Sequence, residues 1–70
     1  MAEAVYKVIE LIGTSTTSWE KAAAAAIERA GKSLRELRVA EVSRLDIQMK
    51  NGKIDCYRAK LKVSFKYEGK

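Results

Sequence analysis

The chain offers few side chains that could make or break bonds. It contains no histidine, which excludes a His-centred triad and every His-containing zinc site. General base work near neutral pH would fall to a carboxylate or a lysine. The nine acidic residues are scattered along the chain. Glu41 and Asp46 fall on opposite parities of one strand-like run, so simple alternation does not bring them together. Without a nucleophile–base constellation the chain reads as a non-enzyme. Gly13-Thr14-Ser15 has the outline of a phosphate loop but neither the GxxxxGK[ST] spacing nor its lysine, and reads as a glycine-assisted turn before a helix cap. Cys56 stands alone, so no intrachain disulfide can form, and it reads as a small core or interface residue. Trp19 reads as a packing anchor or interface residue ahead of a ligand-stacking one.

A basic stripe, Arg58, Lys60, Lys62 and Lys66, together with a net charge of +5, raises the question of nucleic acid. Sheets that bind single strands present aromatic rings on their open face for stacking. Here Tyr57, Phe65 and Tyr67 fall on the opposite parity. The stripe is therefore expected to be solvated or paired with carboxylates of neighbouring subunits, and nucleic acid is not the expected partner.

The elements that must carry these residues follow from periodicity. Val5 to Ile12 is β-branched and aromatic, which predicts a strand, with Tyr6, Val8 and Ile12 on one face and Ile9 and Leu11 on the other. Gly13 is expected to break it, leaving Thr14 to Ser18 as a polar loop. Thr17 with Glu20 forms a capping box, and Ser18 is an equal candidate for the cap. Beyond it, Ala23, Ala26/Ile27, Ala30, Leu34 and Leu37 recur at helical spacing and predict one helix of about five turns. Asn51-Gly52 is a strong hairpin signal, because a type I′ turn needs positive φ at both central residues. After it, Tyr57, Ala59, Leu61, Val63, Phe65 and Tyr67 alternate strictly with polar residues. Before it, apolar parity switches near Ser43-Arg44, which calls for a bulge or for burial of the opposite face by something outside the monomer.

The order β-α-β-β gives an α+β fold: a three-stranded antiparallel sheet with one helix on one face, forming a single domain over residues 1–70. At 70 residues a lone core is marginal, since crude folding arithmetic lands near zero for so short a chain. Ile9, Leu11, Leu45, Ile47 and Met49 are expected on the sheet face the helix cannot cover, which predicts self-association. No stretch approaches the ~20 apolar residues of a membrane span. A signal-peptide pattern is missing, so the cytoplasm is the expected compartment.

Val5 to Ser15 (VYKVIELIGTS), then Thr17-Ser18-Trp19-Glu20, then Val39-Ala40-Glu41-Val42, then Tyr57 to Phe65 (YRAKLKVSF) resemble the dodecin family across nearly the whole chain. The resemblance implies the same β-α-β-β fold, a hollow homododecamer of 23 symmetry, and storage or sequestration of a flavin such as riboflavin or FMN between subunits, without catalytic turnover. Flavin-binding dodecins commonly carry a ring-stacking tryptophan where this chain has Val39. A glutamine that bonds the ring system corresponds to Arg58, and an acidic ribityl contact to Arg44. Losing the aromatic plane removes about 0.5–1.5 kcal/mol of stacking beyond area burial, whereas an arginine can still stack on a flat ring or hold a phosphate. The chain is most similar to the subgroup with an aliphatic residue at that position, some of whose members are described as calcium dodecins.

Two functions follow from the resemblance. In the first, a dodecameric shell holds flavin or a similar planar ligand near Val39, Arg44, Leu45 and Arg58. In the second, Glu41, Asp46 and their symmetry copies bind calcium or magnesium, or simply lock subunits, because symmetry can build an oxygen site that no single chain contains.

Overall fold

The structure, a computed structural model, describes residues 3–33 and 37–66. Four elements follow in the order β1 (Tyr6–Ser15), α1 (Trp19–Ser33), β2 (Leu37–Lys50) and β3 (Lys53–Lys66). The strands form one antiparallel sheet in the order β1-β3-β2. This is the β-α-β-β architecture that the periodicity predicts. Asn51 (φ 53°) and Gly52 (φ 75°) both take positive φ, so the two-residue turn joining β2 to β3 has the backbone the Asn-Gly pair favours.

The first strand runs further than expected. Gly13 does not end it; β1 continues through Thr14 and Ser15, which pair with Arg58 and Tyr57. The glycine is there because the helix lies almost on top of it. A Cβ at this position would run into the Ala22 carbonyl oxygen and reach both the Ala22 carbonyl carbon and the Ala26 Cβ at 3.0 Å. Gly13 and the alanine-rich helix face are therefore one feature: small residues on both sides permit close approach.

Ser18, not Thr17, caps the helix: its Oγ accepts from the Lys21 amide at 3.1 Å. The Thr17–Glu20 box is preempted because Ser15 Oγ already accepts from the Thr17 amide at 3.0 Å, which turns the chain one residue later. Glu20 in the first turn and Lys32 in the last complement the helix dipole. The described helix, Trp19–Ser33, spans 15 residues. Leu37 belongs to β2, where it pairs with Phe65, and it still packs against the core from there. Leu34 and Tyr67 lie outside the described residues.

The core consists of Ala22, Ala26, Ala59, Leu61 and Val63, with Ile9, Leu11, Ala23 and Leu37 packed around it. The strict alternation of β3 is realised: Ala59, Leu61 and Val63 are buried beneath the helix, and Arg58, Lys60 and Lys62 point the other way. Register corrects the expected placement of the other apolar residues. Ile9 stands opposite Val63, Leu11 opposite Leu61, Leu45 opposite Ala59 and Ile47 opposite Tyr57. All four therefore share the helix side of the sheet, and Met49 pairs with Ile54 near the turn. On β2 the cause is a bulge at Ser43, between the Val42–Leu61 and Arg44–Lys60 pairs, which resets parity at the position where the sequence pattern switches.

The helix packs over β1 and β3 and hardly reaches β2. As a result Val42 and Leu45 stay 48% and 49% exposed although they share a sheet face with the core. On the reverse, open face Tyr6, Val8, Ile12 and Val39 are also exposed. Uncovered apolar surface thus exists, but on β2's helix-side row and along the open face of β1, not as the single set of open-face residues expected from sequence.

Candidate functional site

The open face of the sheet is a lattice of charge. Pairing sets Glu10 and Glu41 on either side of Lys62, Ile12 and Arg44 on either side of Lys60, and Thr14 and Asp46 on either side of Arg58. Two members of the basic stripe meet carboxylates of the same chain: Arg58 joins Asp46, and Lys60 Nζ lies 3.7 Å from Glu10.

The Asp46–Arg58 pair is bidentate. Arg58 Nε donates to one Asp46 carboxylate oxygen at 2.8 Å and Nη2 to the other at 2.9 Å. Such fork-to-fork geometry fixes the guanidinium plane as well as its position. Arg58 holds the Asp46 carboxyl below the ordinary aspartate range, chiefly by hydrogen bonding and then by charge, with Arg44 adding to the effect. Reciprocally, the guanidinium of Arg58 is held even more firmly protonated.

Asp46 is also gripped from behind. The Trp19 indole N–H donates to the Asp46 carbonyl oxygen at 3.0 Å. The ring meets Tyr57 edge to face with centroids 5.1 Å apart. Trp19 acts as a packing anchor, one of the two roles its position offers, tying the first turn of the helix to β2 and β3. This long-range hydrogen bond could not be read from the sequence, since no local motif signals it. Cys56 is half-buried on the strand opposite Gln48.

The four residues expected to hold a planar ligand do not converge within one chain. Arg44 and Arg58 share the open face, on adjacent rungs. Val39, 62% exposed, lies on that face opposite Ser64, six residues along β3 from Arg58, or roughly 20 Å at strand rise. Leu45 points to the helix side. The two residues expected to hold a cation do share a face, because the Ser43 bulge cancels their difference in parity. They stand opposite Lys62 and Arg58, four residues apart, or roughly 13 Å. Among the described residues no group of three His, Cys, Asp or Glu side chains could hold a metal ion.

A larger groove of about 610 Å³ runs along the free edge of β1, lined by Ile9, Leu11 and Ile12 on the strand and Ala26, Arg29 and Ala30 on the helix. It contains none of the expected ligand residues. Its sequence signal was the run of small helix residues that lets the chain pack closely yet fills little space. Among the described residues no helix is long and apolar enough to cross a membrane.

Comparison with known proteins adds to this geometry. The family model for dodecin matches residues 5–68. A calcium dodecin from Mycobacterium tuberculosis is 53% identical over 62 residues, covering 89% of this chain and 87% of that protein. The crystal structure of calcium dodecin from the same organism, described as calcium chelating and as having a novel calcium-binding site, superposes with a TM-score of 0.84 at 55% identity over 93% of each chain. Dodecin from Streptomyces coelicolor superposes with a TM-score of 0.92 at 31% identity over 100% of both chains.

Proposed function

The chain belongs to the dodecin family, and from that premise we propose that it is a non-catalytic binding protein whose copies assemble into a hollow dodecamer holding a flavin (riboflavin or FMN), or a similar planar ligand, between subunits. The observation that carries this reading is the dispersal of the ligand residues. Val39, Arg44, Leu45 and Arg58 occupy two faces and two ends of the same sheet, so a ligand touching all of them must lie between copies. The exposed apolar rows on β2 and β1 supply surface for those copies to meet.

The residues fit a flat ligand in part. Position 39 offers an aliphatic side chain where a stacking ring would sit. Trp19 does not substitute for it, since its ring is engaged with Tyr57 and its N–H with Asp46. Planar groups remain in the Arg44 and Arg58 guanidinium groups, of which Asp46 holds that of Arg58 in a fixed orientation. Contact with the ligand is then by Val39 and Leu45 through apolar surface and by Arg58 through its plane. Riboflavin titrated into the protein should lose fluorescence, and the purified protein should be yellow if it retains its ligand. Absence of quenching at high micromolar riboflavin would overturn the reading.

A second reading is supported by the calcium dodecin relative at 53% identity. Glu41 and Asp46, repeated by symmetry, would supply oxygen ligands for calcium or magnesium. One chain alone fits this poorly, because both Asp46 oxygens already accept from Arg58. Calcium should then raise the melting temperature and a chelator should lower it; indifference of stability and assembly to both would remove this alternative. The cytoplasm is the compartment proposed for either function.

A further inference from the structure

Ile12 from β1, Arg44 and Asp46 from β2, and Arg58 and Lys60 from β3 enclose a cavity of about 120 Å³ on the open face. Pockets for drug-sized ligands and cofactors run from roughly 300 Å³ upward. This one has room for an ion or a headgroup and none for a ring system. Its walls bring three cations against one carboxylate, and that carboxylate is already satisfied on both oxygens by Arg58. The bidentate pair uses Nε and one proton of Nη2, leaving both Nη1 donors and the second Nη2 donor of a guanidinium whose plane is fixed. Lys60 is shared with Glu10 only at 3.7 Å, beyond the range of a direct charge-assisted hydrogen bond. Arg44 makes no ion pair or hydrogen bond among the described residues, so its whole donor fork is available. The Ser43 bulge sets Arg44 opposite Lys60, and Ser43 Oγ donates to the Lys60 carbonyl oxygen at 3.2 Å to hold that arrangement.

We propose that this cavity is an oxyanion site that takes a phosphate-sized dianion, either free phosphate or the phosphate group of a larger ligand. Arg44 and Arg58 clamp the oxygens with their planar forks, Lys60 acts as a point charge, and Ile12 forms the apolar wall. Asp46 serves as a brace: its carboxylate, kept ionised by Arg58, leaves the lining a net positive charge and fixes where Arg58 points. The inference rests on Arg44 and Arg58 being ligand residues and not on the ligand being a flavin.

The test is calorimetric titration of the intact, assembled protein with inorganic phosphate, with chloride exchanged to keep ionic strength constant. Saturable binding in the millimolar range is expected. It should weaken about tenfold in Arg44→Ala, which loses fork and charge, and less in Arg44→Lys, which loses the fork alone. Lys32→Gln, a charge removed from the exposed helix end, should bind as the parent does. Lack of saturation, or an Arg44→Ala protein that titrates like the parent, overturns the site. Parallel titrations with riboflavin and FMN separate the two sources of phosphate. Tighter FMN binding whose advantage disappears in Arg44→Ala identifies the phosphate as part of the ligand. Equal flavin affinities alongside saturable phosphate identify the free ion. Riboflavin quenching without phosphate saturation sinks this inference and leaves the flavin reading standing. Phosphate saturation without riboflavin quenching does the reverse.

Discussion

Strands β2 and β3 are the same length, are joined by a tight turn and pair along their whole course, yet they live in different environments. The central strand β3 buries Ala59, Leu61 and Val63 completely. Its neighbour β2 carries equally apolar side chains on the same sheet face and leaves them half exposed. Amphipathic pattern alone does not decide burial; position in the sheet and the footprint of the single helix do. The helix is seated over β1 and β3 because Gly13 lets it approach there, and that choice strips cover from β2.

The contrast can be tested directly. Leu61→Ala should destabilise by about 3 kcal/mol, as for a fully buried leucine, whereas Leu45→Ala should cost under about 1 kcal/mol in dilute protein, where the chain is least assembled. Chemical denaturation over a range of protein concentrations reads both. If copies cover β2, the penalty for Leu45→Ala grows with concentration while that for Leu61→Ala does not. Equal penalties at every concentration would abolish the distinction between the strands.

Gly13→Ala addresses why the helix sits where it does. The added methyl meets main-chain atoms of Ala22, which cannot rotate away, so the helix must shift at a cost of about 2 kcal/mol. A denaturation midpoint unchanged from the parent would show that the close approach is dispensable.

The smallest effect concerns the edge strand's principal tether on the open face. Because Arg58 lowers the Asp46 pKa, the pair's contribution to stability is complete above the ordinary aspartate value and disappears as pH falls through the lowered one. The parent should therefore lose stability more steeply than Asp46→Asn on going below about pH 4. Parallel acid limbs in urea melts would mean that β2 gains nothing from the pair.

Much of this architecture was legible from pattern. The Asn51-Gly52 turn, the period-two face of β3 and the parity switch at Ser43-Arg44 each have one local physical cause, and each appears in the fold. The errors were tertiary. Gly13 reads as a breaker because glycine usually is one; only the helix overhead explains why it stays in a strand. Ile9, Leu11, Leu45 and Ile47 lie on the helix side because register, which no single strand encodes, sets which parity faces inward. For the candidate site, the basic stripe was expected to be solvated or paired with carboxylates of other subunits, yet for Arg58 and Lys60 the carboxylates, Asp46 and Glu10, arrive from the flanking strands. The Trp19–Asp46 contact spans 27 residues of sequence and leaves no trace in any short window.

That contact has a practical consequence. The chain's one tryptophan touches, through its indole N–H, the main chain of the residue whose side chain grips Arg58 on the far side of the sheet. Indole emission responds to the strength of such a bond. The protein thus carries a native optical reporter aimed at its charged face, and occupancy there can be followed without attaching a dye.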